Sequence, residues 1–359
     1  MSTLRSGFTT GTCAAAAAKA ATLLLRGEVS VTDVEIGLPD GERVRFPVVW
    51  SKIGPGNAQA AVRKDAGDDP DITHQAVVKA RVDWKEGTEI EFQAGEGVGT
   101  VTKPGLAIPP GEAAINPVPR QMIRDSVREV TDRAVRVTVS IPDGEALAAK
   151  TFNPKLGVQG GLSILGTTGR VRPFSCPALQ ESLRCSLQVA LALGLKDLAF
   201  VPGHIGEKAA HRHFALRPEQ VIEVSNEWGY MLGQAAREKV PRLLVLGHPG
   251  KLVKLAEGMW DTHSGRSGSA LPLVEKIAAE QFSSPLPEAN TVEGFLAAWP
   301  EESRGELADK LARRVRQAVE QFTGHQIHIA VVLVNLKGDR LGSAGDLTPW
   351  EMNPTPSSS

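Results

Sequence analysis

The apolar pattern of this chain changes period once, near residue 150, and that change constrains the fold more than any single motif. Before it, apolar and polar residues alternate with period two over 29–38, 43–50, 59–64, 77–84 and 88–93, the first pair joined by the turn Pro39-Asp40-Gly41. Period-two alternation is the mark of half-buried antiparallel strands. A helix over 13–26, with Thr12 as its N-cap, a second over 120–133 after Asn116-Pro117, and a strand over 135–141 complete this half. From Gly160 onward, short apolar runs at 162–165, 198–201, 221–224, 243–246 and 327–334 alternate with amphipathic stretches at 178–193, 207–214, 227–239, 271–282, 292–299 and 302–322. Buried strands alternating with helices predict a parallel sheet. The expected organisation is an α+β, β-rich N-terminal domain over 1–150, a doubly wound, open-sheet α/β C-terminal domain over 151–340, and a C-terminal tail over 341–359.

Charge and cysteine usage narrow the function. With 40 basic and 41 acidic residues the net charge is −1, so the basic footprint of a nucleic-acid binder is missing. Three cysteines, Cys13, Cys176 and Cys185, are few, odd in number and far apart, which argues against a disulfide framework and for a reducing, cytoplasmic setting. The apolar stretch 14–25 is too short and alanine-rich for a membrane span, and no targeting segment is read. The expected partner is a small molecule, without nucleic acid or membrane; a homo-oligomer is left open.

In open α/β sheets ligands lie beyond the carboxyl ends of the strands. There the sequence places His204 in Pro202-Gly203-His204 and His248 in Gly247-His248-Pro249-Gly250-Lys251. Glycine lets a ligand approach the backbone and imidazole moves protons near neutral pH; the plainer alternative is that these histidines only cap helices. Asp261-Thr262-His263-Ser264 adds a carboxylate, two hydroxyls and His263. The run Gly160-Gly161-Leu162-Ser163-Ile164-Leu165-Gly166-Thr167-Thr168-Gly169 can present N–H groups to an anion, or be a plain turn. Gly95-Glu96-Gly97-Val98-Gly99 lacks the following helix of a dinucleotide site. Asp65 to Asp71 packs four carboxylates into seven residues, a cation site or a solvated acidic turn. Cys13 lies near a helix start that favours a thiolate, or is small-residue packing.

Taken together, GFTTGTCAAAAAKAA at 7–21, KDAGDDPDIT at 64–73, GEGVGTVTKPGL at 95–106, AINPVPRQMI at 114–123, GGLSILGTTG at 160–169, FVPGHIGEKA at 200–209, LVLGHPGKLVKLAEGM at 244–259 and DTHS at 261–264 resemble, in order, the cobalt-precorrin-5B C(1)-methyltransferase family, CbiD. The resemblance implies transfer of a methyl group from S-adenosylmethionine to carbon 1 of a cobalt-precorrin-5B-like tetrapyrrole in anaerobic cobalamin biosynthesis. Cobalt is then part of the substrate and no protein metal site is expected. In that chemistry His248, His204, His263 or Asp261 takes the proton that leaves the macrocycle, His248 being the first choice. The donor's carboxylate rests on Thr9, Thr10, Gly11 and Thr12 or on Gly160, Gly161, Gly166 and Thr167. Arg120, Arg170, Lys208 and Lys251 meet the carboxylates of the ring. The rival is a non-catalytic tetrapyrrole carrier in the same pathway, which binds no donor. A phosphoryl-transfer enzyme lacks its Walker lysine and hydroxyl pair.

Overall fold

Strand β1 (Gly7–Phe8) and helix α1 (Thr10–Arg26) open the first of two units, residues 1–178 and 179–359, into which the chain divides. The computed structural model describes residues 4–173, 175–282 and 285–351. Helix α1 begins three residues earlier than expected because Thr9, not Thr12, caps it: the Thr9 Oγ1 accepts from the Thr12 N–H at 3.2 Å. Cys13, Ala14 to Ala18, Ala20 and Ala21 are all fully buried. The helix is wedged between a sheet and α2 (Pro117–Arg128), so it needs small side chains on every face, and alanine supplies them at no cost in helix propensity.

That sheet has six strands, β2 (Asp33–Gly37), β3 (Arg43–Gly54), β4 (Asn57–Arg63), β5 (Val77–Trp84), β6 (Ile90–Ala94) and β8 (Val135–Ser140), in the order β2-β3-β4-β5-β8-β6. β7 (Thr100–Val101) stands apart from it and pairs with β9 (Val158–Gln159). The alternation that predicted these strands places Ala58, Ala60 and Val62, Val78, Ala80 and Val82, and Val135, Val137 and Val139 in the core beneath α1. One pair departs from the expected antiparallel pattern: β6 runs parallel to β8, because α2 lies between them in the chain and makes a crossover connection.

The run 160–169, expected to begin the α/β domain, instead belongs to the first unit. Leu162 bridges Val98 and Ile164 bridges Ile115, while β10 (Arg170–Val171) pairs with β1. A Cβ at Gly161 would lie 2.2 Å from the Gly97 carbonyl, so only glycine lets these backbones meet. The division therefore falls at residue 178 rather than near 150. The short helices α3 (Gly144–Ala148) and α4 (Asn153–Leu156) also precede it.

After α5 (Cys176–Ala192), the second unit builds a five-stranded sheet from β11 (Asp197–Val201), β12 (Val221–Glu223), β13 (Arg242–Gly247), β14 (His328–Val334) and β15 (Arg340–Ala344), in the order β12-β11-β13-β14-β15. The first four are parallel and β15 is antiparallel. Ala199, Val201, Leu244 and Leu246 pack with α6 (His204–His213), and the alternate residues Leu198, Phe200, Leu243 and Val245 are equally buried, so both faces of the sheet are covered. α7 (Trp228–Arg237), α8 (Pro249–Leu252), α9 (Ser264–Ser267), α10 (Leu271–Gln281), α11 (Val292–Ala298) and α12 (Glu301–Phe322) supply the connections.

The supposed tail from 341 is in part structural. β15 pairs with β14, and Trp350 in α13 (Thr348–Glu351) is buried with its Nε1–H donating to the Leu198 carbonyl at 3.1 Å. Polar and small residues in RLGSA hide this edge strand from a search for apolar alternation. Residues 352–359 lie outside the described residues. Among the described residues no helix is long and apolar enough to cross a membrane.

Candidate functional site at the strand ends

In the order β12-β11-β13-β14 the chain leaves β11 to one side, to β12, and leaves β13 to the other, to β14. The carboxyl ends of β11 and β13 therefore flank a topological switch point, the place where open parallel sheets bind ligands. Pro202-Gly203-His204 leaves β11 there and Gly247-His248 leaves β13. The two loops touch: a Cβ at Gly247 would lie 2.8 Å from the Pro202 ring. Among the described residues no side chain caps the first turn of α6, so its N–H groups point outward from a positive helix end.

His204 begins α6 with its side chain 72% exposed, its Nδ1 3.8 Å from Glu207 and beyond hydrogen-bond reach. His248 is held on both ring nitrogens. Nδ1 accepts from the Gly250 N–H at 3.0 Å, capping α8, and Nε2 lies 2.9 Å from Glu293 Oε2. A backbone N–H can only donate, so Nδ1 carries no proton and Nε2–H donates to Glu293. In this geometry both ring nitrogens of His248, the first choice drawn from the sequence, are engaged within the chain. His263 repeats the arrangement at α9, its Nδ1 accepting from the Gly265 N–H at 3.2 Å. Asp261 is committed to Arg266 at 2.6 Å and to the His263 N–H at 2.9 Å.

The Asp261-Thr262-His263-Ser264 segment reaches this place through Asn226, in the turn after β12. Thr262 Oγ1 and Lys251 Nζ both donate to Asn226 Oδ1, at 3.2 and 3.0 Å. Buried Lys254 donates to the Thr262 carbonyl and to Ser267 Oγ. Burial pushes the Lys251 ammonium below its ordinary pKa, and the Lys254 charge adds to this. Lys208, on α6, is exposed. A residue absent from the sequence reading stands beside them: Glu223 ends β12, in register with Val201, and its Oε1 lies 3.5 Å from where a Gly203 Cβ would be. Its spacing from Gly203 was a usable signal, hidden because the loop lacks a full glycine fingerprint.

The first-unit candidates are packed among themselves. Thr9 N–H donates to the Gly169 carbonyl at 3.0 Å, Gly11 N–H to Leu165 O at 2.9 Å, and the Thr12 N–H is taken by Thr9 Oγ1. Thr10 Oγ1 accepts from the Leu165 N–H, and Thr12 Oγ1 donates to Gly169 O. The expected carboxylate cradle on Thr9 to Thr12 is occupied by the chain's own loop. A Cβ at Gly166 would strike Thr9, and Gly161 is closed against Gly97, whereas Gly160 and Thr167 are exposed. Arg120 is spent on the Ile115 and Ala113 carbonyls and on Glu112 at 2.7 Å, at the edge of a cavity of about 560 Å³ that it shares with Arg124 and Phe92. Arg170 pairs with Glu42 at 2.6 Å.

Nor does the acidic run form a cation site. Asp65 pairs with Arg5, which holds its carboxyl down at about 2. Asp71 meets the buried ammonium of Lys64 at 2.7 Å; burial pushes the Asp71 carboxyl up, but Lys64 and Thr73 bring it below its ordinary value. Among the described residues no group of three or more histidine, cysteine or acidic side chains is placed to hold a metal ion. Cys13 is fully buried, which pushes its thiol up to about 12 and removes it as a nucleophile.

Comparison with known proteins places the chain. A family model described as CbiD matches residues 1–173, and one described as CbiD, C-terminal domain, matches residues 261–345. The chain belongs to the CbiD family. A cobalt-precorrin-5B C(1)-methyltransferase of Syntrophotalea carbinolica is 54% identical over 98% of this chain and 100% of its own length. One of Alkaliphilus metalliredigens is 40% identical over 93% of this chain and 90% of its own. A crystal structure of cobalamin biosynthesis protein (cbiD) from Archaeoglobus fulgidus is 30% identical, covers 74% of this chain and 85% of its own, and has a TM-score of 0.40.

Proposed function

We propose that this chain is a cytoplasmic methyltransferase that moves a methyl group from S-adenosylmethionine to carbon 1 of cobalt-precorrin-5B, the tetrapyrrole for which its relatives are named, with cobalt entering only as part of the substrate. The observation that carries the proposal is 54% identity along the whole of a relative bearing that name. Features at the switch point of the second unit support a site there: a helix start that no described side chain caps, two loops close enough to touch, and lysines around them. These residues fit the carboxylate of such a donor.

When bound, the donor supplies an electrophilic methyl group open to in-line displacement. The chain's own work is to hold the attacking carbon about 3 to 3.5 Å from that methyl and to exclude water. Lys251, half-buried on Asn226, and exposed Lys208 meet carboxylates. His204, of the three candidate histidines the one whose ring the described residues leave without a hydrogen bond, takes the departing proton on Nε2. His248 fixes Glu293 through Nε2–H and keeps the loop after β13 in shape.

The test incubates the purified protein with cobalt-precorrin-5B and S-adenosylmethionine under anaerobic conditions and follows both products by mass spectrometry. A macrocycle one methyl group heavier, formed with an equal amount of S-adenosylhomocysteine, is the expected result. A macrocycle that binds tightly and gains no methyl group identifies a carrier instead.

A further inference from the structure

Glu223 is the one carboxylate at the switch point to which the described structure assigns neither a hydrogen bond nor an ion pair. Asp261 is paired with Arg266, and Glu293 is held by His248. Glu227, farther along the same turn, accepts from Gln180 at 2.7 Å. Glu223 stands half-buried at the last position of β12, where the ladder sets it opposite Val201, the last residue of β11. From there its carboxylate turns toward the β11 loop, since Oε1 comes within 3.5 Å of the Cβ position at Gly203. A half-buried carboxylate left without donors gives up solvation for nothing unless something else donates to it.

The topology says what that donor would be. In a β-loop-α-β unit whose first loop holds a ligand, an acidic residue about 20 residues past the loop glycines, at the end of the second strand, accepts the hydroxyls of a ribose. Glu223 lies 20 residues after Gly203, in the unit β11, α6, β12, on the strand that pairs with β11 away from the switch point. We propose that Glu223 accepts the ribose hydroxyls of an adenosine-bearing donor lying across the Gly203 loop. The proposal rests on the methyl-transfer reading and adds to it the residue that recognises the sugar. The amino-acid end of the donor then points toward β13 and Lys251, whose ammonium is close enough to sense the Glu223 charge.

The test is calorimetric titration of the full chain with S-adenosylhomocysteine and with its 2′-deoxyribose analogue, for the parent protein, Glu223→Gln and Glu223→Ala, with thermal melting run alongside to show that the variants fold. The parent should prefer the ribose compound at least tenfold. Glu223→Ala should bind S-adenosylhomocysteine at least tenfold more weakly and no longer distinguish the two compounds, while Glu223→Gln keeps part of the preference because its amide oxygen still accepts. Parent-like affinity and discrimination in folded Glu223→Ala overturns the inference and leaves the methyl-transfer reading standing. Absence of any S-adenosylhomocysteine binding by the parent protein overturns both.

Discussion

The motif cluster around α1 in the first unit and the strand ends of the second are built from the same residue types, glycine, threonine, lysine and aspartate, but their polar groups finish differently. Around α1 the motif residues are matched within the chain: Thr9, Gly11 and Thr12 to the 165–169 loop, Asp65 to Arg5, Lys64 to Asp71. At the strand ends, among the described residues, no side chain caps the α6 N-terminus, the His204 ring has no hydrogen-bonded partner, and Glu223 faces a glycine. A polar motif satisfied internally holds a fold together; one left open at a sheet crevice is prepared for a ligand. Glycine serves both ends, bringing backbone to backbone in the first unit and leaving room for a visitor in the second.

Two lysines put the largest strain on this contrast. Lys64 is 1% exposed and Lys251 is half-buried, and each donates to one side-chain oxygen. Lys64→Met leaves Asp71 with a charge it can no longer share, which costs about 3 kcal/mol and lowers the first unit's melting temperature by about 10 °C. Lys251→Met should shift melting by less than about 3 °C and weaken S-adenosylhomocysteine or macrocycle binding instead. Calorimetric melting and binding of both variants decide the matter. If Lys251→Met melts as early as Lys64→Met, the strand ends are structural as well.

Histidines sharpen the comparison within the second unit. His204→Ala removes the free ring and should lower methyl transfer about 10²-fold with stability unchanged. His248→Asn keeps a helix-capping oxygen and loses only the donor to Glu293, so its loss of rate should be several-fold smaller. Single-turnover rates of the two variants, measured under one set of conditions, discriminate between them. A larger loss in His248→Asn would return the role of proton acceptor to His248.

Much of this was legible in the chain because strand and helix periods are local. The alternation over 77–84 matches β5 residue for residue, and the apolar runs at 198–201 and 243–246 fall inside β11 and β13. What escaped was set by long-range pairing. The 160–169 run has a strand's composition, yet its bonds go back to Val98, Ile115 and Thr9, a destination that no local period encodes. β15 was missed because an edge strand of small and polar residues carries no apolar alternation. At the site, strand ends and their histidines were visible, whereas the tautomer of His248 depends on a backbone N–H two residues on, and the significance of Glu223 depends on strand order.

The smallest expected effect is the acid sensitivity of two exposed ion pairs in the first unit. Arg5 holds the Asp65 carboxyl at about 2, and Arg43, against the opposing effect of burial and together with Lys19, holds Glu129 at about 2. Both values lie below the roughly 4 of an unfolded carboxylate, so these pairs stabilise the first unit fully above about pH 4 and lose that contribution as pH falls toward 2. Each is largely exposed, so the contribution is modest and is screened by salt. Differential scanning calorimetry from pH 5 to pH 2 should show the first unit's transition moving down by a few degrees, and Asp65→Asn should remove part of that movement. An Asp65→Asn profile identical to the parent's would mean that the Arg5 pair adds nothing measurable, leaving Lys64–Asp71 and the threonine contacts as what keeps the α1 cluster closed.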